Sequence, residues 1–261
     1  MCRLFAFSFT ENTCQQEKIE YLNYFRSLSV TGNVLDTSSP GHMDGWGVVV
    51  YKDNQNLPLL HKSVSSALDD IDFVPTSFLT ERSNESGLMH LRKKTVGEVS
   101  VHNSHPFTEG KYAFIHNGTI RRDGETYSFL SSKCNGSTDS ERIFRRFLDI
   151  QEQGGLPVLE AFTKMIIETK VLCPMYSAIN TILHDGEALY VSRVINKENK
   201  AYEYSLLENY YTLYVGVTKN NDIVISSEKK DDDGVVYTLL PNESVSKITL
   251  KDNSIETNFL L

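Results

Sequence analysis

Residues 1–10 read Met1-Cys2-Arg3-Leu4-Phe5-Ala6-Phe7-Ser8-Phe9-Thr10, and the reading of this stretch decides the fold. Leu4, Phe5, Phe7 and Phe9 make an aromatic-rich alternation that predicts a strand starting at the chain terminus itself. The residue after the initiator is a cysteine. Its small side chain permits removal of Met1, which would place a thiol and a free α-amine on one residue. An α-amine has an ordinary pKa of about 7.7–8.0, so a useful fraction is unprotonated near neutrality. It can then serve as general base for its own nucleophile, directly or through a water. A thiol is also the side-chain nucleophile least limited by its own pKa. A small buried hydrophobe at a strand start is the usual fate of a cysteine, and position alone favours that reading over the nucleophile.

Outward from this strand, residues 15–29 place Ile19, Leu22, Phe25 and Leu28 at helical spacing. A loop rich in Ser, Thr, Gly and Pro ends in Asp44-Gly45-Trp46-Gly47, and Val48-Val49-Val50-Tyr51 follows as a buried strand. Residues 87–91 and 112–116 are two more short apolar strands. Residues 138–152 predict a helix with Thr138 as N-cap and Glu141 completing a capping box. Residues 156–170 predict a second helix. Strands are expected at 178–183, 188–194, 210–217, 222–225, 235–239 and 245–250, with the charged run 228–234 as a hairpin tip. Strands, then a helical pair, then strands predict an α+β fold of stacked sheets and helices rather than alternating βαβ units. With no repeat and no linker, residues 1–261 are expected to form a single domain.

Composition narrows the function. The 261 residues carry 26 Lys+Arg against 34 Asp+Glu, a net charge of −8, which argues against nucleic acid because phosphate neutralisation needs a basic face. No stretch approaches the roughly 18–20 apolar residues needed to span a bilayer, and the N-terminus turns polar too soon for a secretory signal. The four cysteines show no CxxC spacing. A soluble protein of a reducing, cytoplasmic setting is expected.

Three further segments could carry chemistry. In His90-Leu91-Arg92-Lys93-Lys94-Thr95 the planar fork of Arg92 suits a carboxylate. Residues 90–122 hold six Lys/Arg and two Asp/Glu, a local excess that favours an anionic small molecule. Phe114-Ile115-His116-Asn117-Gly118-Thr119 is a strand leading into an Asn-Gly turn. The same geometry can aim an Asn amide and a Gly N–H at one spot as an oxyanion hole. Asp139, in the first turn of a helix, can bind a substrate ammonium while Thr138 makes the cap. Six of the seven histidines lie between positions 42 and 116, but there is no HExxH and no single-helix spacing, so neither a metal nor any other cofactor is expected.

Taken in order, Met1-Cys2-Arg3-Leu4-Phe5, Asp44-Gly45-Trp46-Gly47, His90-x-Arg92-x-x-Thr95, Asn103-Ser104-His105-Pro106-Phe107, His116-Asn117-Gly118 and Thr138-Asp139-Ser140-Glu141 resemble the class II glutamine amidotransferases of the N-terminal nucleophile (Ntn) hydrolase superfamily. The resemblance is carried by residues 2–150, with Ser226-Ser227-Glu228 as a weaker echo, and is greatest to stand-alone members. It implies an αββα four-layer sandwich and a glutaminase reaction through a Cys2 thioester. It also implies Asn117 and Gly118 as the oxyanion hole, Arg92 with Thr95 on the substrate α-carboxylate, Asp139 on its α-ammonium, and His105 in support. Lys93 and Val96 stand where amino-sugar-forming members carry an aromatic residue and a histidine. The implied partners are glutamine or another γ-glutamyl compound and a separate synthase or acceptor subunit. Alternatives within the same resemblance are hydrolysis of γ-glutamyl amides of larger, glutathione-like molecules, and a non-catalytic regulatory role.

Overall fold

The computed structural model describes residues 2–35, 41–53, 57–73, 79, 83–120, 133–231 and 234–260. Strand β1 (Arg3–Phe9) is buried along its whole length. Its alternation therefore separates two kinds of interior rather than core from water. Phe5, Phe7 and Phe9 face one way, toward Leu22 and Phe25 of helix α1 (Gln15–Thr31). Leu4 and Ala6 face the other way, into an aliphatic layer with Val49, Leu88, Ile115, Ile182 and Ile225. A strand end that starts inside the molecule carries Cys2 with it.

Around β1 runs a seven-stranded antiparallel sheet in the order β11-β9-β10-β1-β4-β2-β3. Its members are β2 (Trp46–Lys52), β3 (Leu59–Ser63), β4 (Glu85–Leu91), β9 (Tyr214–Thr218), β10 (Ile223–Ser226) and β11 (Val235–Leu239). The second sheet runs β13-β12-β8-β7-β6-β5. It comprises β5 (Phe107–Glu109), β6 (Tyr112–Asn117), β7 (Asn180–His184), β8 (Ala188–Arg193), β12 (Ser244–Thr249) and β13 (Ser254–Phe259). Helices α2 (Asp139–Gly154) and α3 (Val158–Leu172) cover its outer face, where Phe144, Phe147, Phe162 and Ile166 pack on Phe114, Leu183 and Tyr190. The layers are helix, sheet, sheet, helices. Each buried Phe is worth about 1.5–3 kcal/mol of apolar transfer, and both helix layers are held by such rings.

The predicted elements are present, with shifts at the ends and three corrections. Residues 210–217 are not one strand. Tyr204–Tyr210 is a short helix, α4, and β9 begins only at Tyr214. The aromatics there read as strand formers, but Tyr210 and Tyr211 are buried because they pack with Leu207 and Ile195 in a side cluster. The capping box of α2 is half made. Thr138 Oγ1 accepts the Glu141 N–H at 3.2 Å, but the Glu141 carboxylate reaches back to the N–H groups of Asn135 and Gly136 instead of its own cap. The run 228–234 is not a hairpin tip. It links β10 to β11, and β9 lies between those strands; residues 232 and 233 fall outside the described residues. Strands β3, β5 and β13 escape a sequence reading because β5 has three residues and β13 is exposed at every position.

Candidate active site

Side chains on the same face of a strand differ by an even number of residues. Cys2 shares the inward face of Leu4 and Ala6, Arg92 that of Leu88 and His90, and Asn117 that of Ala113 and Ile115. Three strand ends from two sheets therefore aim three polar side chains into the layer between them, at the point where aliphatic packing stops. The Cys2 backbone N–H donates to Asn117 Oδ1 at 3.0 Å. Asn117 is 1% exposed, and among the described residues its Nδ2 has no hydrogen-bond partner. A buried amide donor without an acceptor costs about 1–3 kcal/mol, and a ligand oxygen would relieve that cost.

The Cys2 thiol is bracketed by the main-chain N–H and carbonyl of one residue, Lys93. The Lys93 N–H donates to Sγ at 3.4 Å, and the thiol donates to the Lys93 carbonyl at 3.6 Å. Burial pushes the Cys2 thiol above its ordinary range, and the Lys93 contact and the Arg92 charge pull the other way. A thiol held neutral in this manner needs a base close by to become a nucleophile. The segment Arg92–Lys94 is fixed by the loop before β2. Asp44 N–H donates to Arg92 O at 3.0 Å, Arg92 N–H to Gly45 O at 2.8 Å, and Lys94 N–H to Asp44 Oδ2 at 2.7 Å. Gly45 has φ +124°, a conformation open to glycine. The Asp44-Gly45-Trp46-Gly47 motif thus fixes the main chain of Arg92–Lys94, through its own backbone and the Asp44 carboxylate.

Arg92 is buried, and its Nη1 and Nη2 donate to the carbonyls of Glu98 and Val96 at 3.0 and 3.1 Å. Each Nη carries two N–H groups, so among the described residues one on each is left for a bidentate acceptor. Thr95 Oγ1 is joined to Thr119 Oγ1 at 3.0 Å, tying the Arg92 loop to the Asn-Gly turn. Gly118 closes that turn against the chain opposite: an added Cβ would lie 1.9 Å from Ala178 O and 2.6 Å from His116 Nε2. Asp139 is buried at the start of α2, where Oδ2 accepts the Ile120 N–H at 2.7 Å and Oδ1 the Ser140 N–H at 2.9 Å. Ser140 Oγ in turn meets His116 Nδ1 at 2.8 Å.

Cys2, Arg92, Thr95, Asn117, Gly118 and Asp139 are therefore linked through direct contacts or contacts of adjoining residues. His105 sits elsewhere in the network. Its ring stacks on His90 at 4.0 Å and meets Phe107 edge-on at 4.5 Å. Burial holds both His90 and His105 well below the usual histidine range. His90 Nε2 meets the carbonyl of His116 at 3.2 Å and so joins the two sheets one residue below Asn117. Arg121 and Arg122, two of the six cations in the 90–122 run, lie outside the described residues. Sequence reasoning missed the peptide of Lys93, which acts through main-chain atoms and leaves no side-chain signal. A cleft of about 890 Å³ opens beside this constellation, lined by Thr95, Val96, Thr119, Ser137, Tyr176 and Lys200 among others.

Two facing antiparallel sheets between helix layers, with a cysteine at the first strand's start turned inward onto an Asn-Gly turn, define the Ntn-hydrolase sandwich. The family profile of class-II glutamine amidotransferases matches residues 1–202, and the chain belongs to that family. It is 33% identical over 134 residues to Saccharomyces cerevisiae DUG3, named a probable glutamine amidotransferase, covering 46% of this chain and 37% of that protein. It is 29% identical over 115 residues to the isomerizing glutamine–fructose-6-phosphate aminotransferase of Lactococcus lactis, covering 42% and 18%. The matched regions thus span well under two thirds of these relatives. Among solved structures, a glutamine aminotransferase class-II domain protein from Silicibacter pomeroyi superposes with a TM-score of 0.59 at 16% identity, covering all of both chains. Glutamine phosphoribosylpyrophosphate amidotransferase from B. subtilis superposes with a TM-score of 0.65 at 14% identity, covering 99% of this chain and 49% of that one. Both share the fold. Among the described residues no helix is long and apolar enough to cross a membrane.

Proposed function

We propose that this chain hydrolyses the side-chain amide of glutamine, with Cys2 as nucleophile, and passes ammonia to a separate acceptor enzyme. Removal of Met1 turns the Cys2 nitrogen, already 3.0 Å from Asn117 Oδ1, into an α-amine. That amine takes the thiol proton, and Sγ adds to Cδ of glutamine. The oxygen that becomes negative is held by Asn117 Nδ2 and the Gly118 N–H. The tetrahedral adduct collapses, its nitrogen leaves as ammonia with the proton returned by the amine, and a γ-glutamyl thioester remains. Water, deprotonated by the same amine, adds to the thioester and releases glutamate and the thiol. Arg92, with Thr95, takes the substrate α-carboxylate and Asp139 the α-ammonium; His105 supports the site through its stack on His90. The observation that carries this reading is the buried Asn117 Nδ2, without a partner among the described residues, on the residue that holds the Cys2 nitrogen.

The test is ammonia release from glutamine by the purified chain, with intact-mass measurement. Loss of turnover in Cys2→Ser, with a wild-type mass lacking methionine, supports the reading. Full turnover in Cys2→Ser, or turnover by protein that retains Met1, sinks it. The 890 Å³ cleft favours a second reading, because it has the size of pockets that take drug-sized ligands, at about 300–1,000 Å³. There the substrate is a γ-glutamyl amide of a larger molecule, bound by the same glutamyl head. Assay of glutamine beside a γ-glutamyl peptide separates the two by their kcat/KM.

A further inference from the structure

Arg3, next to the nucleophile, has no role in the chemistry above, and neither does the Ser226-Ser227-Glu228 segment. The fold brings them together. Arg3 is fully buried, on the face of β1 opposite to Cys2. Its Nη1 donates to the Cys2 carbonyl at 3.3 Å, and its Nη2 donates to the carbonyl of Asn33, just past α1. Its Nε forms an ion pair with Glu228 Oε1 at 2.7 Å, and its guanidinium carbon stands 4.3 Å over the ring of Tyr210. The same Glu228 oxygen accepts the Asn33 N–H at 2.8 Å. One residue earlier, Ser227 closes a ring with β1: Leu4 N–H donates to Ser227 Oγ at 2.9 Å, and Ser227 N–H donates to Leu4 O at 3.0 Å.

A chain terminus ordinarily frays, because nothing precedes it to fix its dihedrals. A nucleophile whose own α-amine is the base cannot tolerate that freedom, since attack needs near-contact geometry and a misplacement of about 1 Å can cost about 100-fold in rate. The sheet partners of β1 fix the strand from Arg3 onward. At Cys2 the side chain is held by the Lys93 main chain and the nitrogen by Asn117, which is also proposed to hold the reacting oxygen. The carbonyl is held by Arg3 alone among the contacts of the described residues. A planar guanidinium is well suited to hold it, because its fork gives several directed donors, its remaining face stacks on Tyr210, and its charge is balanced by Glu228.

We infer that Arg3 is a positioning residue for Cys2: clamped by Glu228, Asn33 and Tyr210, it fixes the nucleophile's carbonyl and with it the placement of the Cα from which both the α-amine and the thiol project toward the substrate. The residues proposed to hold the glutamyl head, Arg92 and Asp139, lie outside this clamp. The inference rests on the proposed role of Cys2. The test uses the full chain and expresses kcat per Cys2 titrated with a glutamine-mimicking electrophile, so that misfolded protein does not register. Arg3→Lys keeps the charge but not the fork, and is expected to lower kcat by about 10- to 100-fold with KM for glutamine within about twofold. Glu228→Gln loosens the clamp without touching Cys2. It should show the same split to a smaller degree, and it carries the test if Arg3→Lys does not fold. Wild-type kcat per titrated site in a folded variant, or a loss confined to KM, overturns the inference. Cys2→Ser is run alongside: its retained turnover would sink the proposed chemistry, whereas an inactive Cys2→Ser beside a fully active Arg3→Lys would sink the positioning role alone.

Discussion

The Cys2 nitrogen and Asn117 Oδ1 are 3.0 Å apart although 115 residues separate them in the chain. This contact commits the oxygen of the Asn117 amide and leaves its Nδ2 as the donor available to a ligand. Asn117→Asp keeps an acceptor for the nitrogen and replaces the donor by a second oxygen. Removing one such donor from an oxyanion site costs about 10²–10³ in kcat. The variant should lose that much ammonia release in steady-state assays, with KM changed far less. Equal loss in both parameters would point to a binding role instead.

Gly118 should admit no larger residue. Its added Cβ would lie 1.9 Å from the Ala178 carbonyl, a backbone atom of the facing chain that cannot swing aside. Gly118→Ala is expected to destabilise the protein by about 3 kcal/mol, the upper part of the usual overpacking range, and to abolish turnover. Urea unfolding with an activity assay checks both.

Helix α1 is bound to the first sheet by a buried charge pair. Lys18 Nζ meets Glu85 Oε2 at 3.1 Å and Ser83 O at 2.8 Å, and both side chains of the pair are fully buried. Lys18→Met removes this cation from beside the buried Glu85 carboxylate and should cost about 3–5 kcal/mol. Lys18→Met combined with Glu85→Leu should recover much of that loss, because both desolvated charges of the pair are then gone. Denaturant midpoints of the two single variants and the double variant give the coupling directly.

Stability should fall as the solution becomes acid. Burial lowers the pKa of His90, His105, His116 and His184, the last to about 3. Below an ordinary histidine pKa of about 6.5 the unfolded chain takes up protons that the folded chain does not. Acid therefore favours unfolding. The penalty is absent above pH 6.5 and grows by about 1.4 kcal/mol per pH unit for each histidine that stays neutral. The melting temperature should hold between pH 7 and 8 and drop steeply from pH 6.5 to 5. A flat Tm across that lower interval would contradict the buried neutral histidines.

Much of this protein is legible in its sequence, for local reasons. Strand β1 follows from the alternation at residues 4–9, and helix α2 from Thr138 and the spacing of Ile143, Phe144, Phe147 and Ile150. The individual site residues stand out through their joint occurrence, because a cysteine at a strand start, an asparagine before a glycine and an aspartate in a helix's first turn each have a structural reading of their own. The misread places share a cause. Tyr210 and Tyr211 look like strand, yet their burial comes from a packing cluster that no local window contains. Glu141 satisfies Asn135 and Gly136 rather than its own cap because the incoming loop presents those N–H groups.

By itself, then, the sequence determined the order of elements, the two-faced hydrophobicity of β1 and the chemical types at the strand ends, since each depends on neighbours within a few residues. The tertiary structure alone decided that Cys2, Lys93 and Asn117 meet, that Asn117 Nδ2 lacks an acceptor among the described residues, and that Arg3 reaches Glu228. Those facts depend on the register of strands far apart in the chain and on the stacking of two sheets. Burial then gives them their energies, by removing the water that would otherwise satisfy each polar atom.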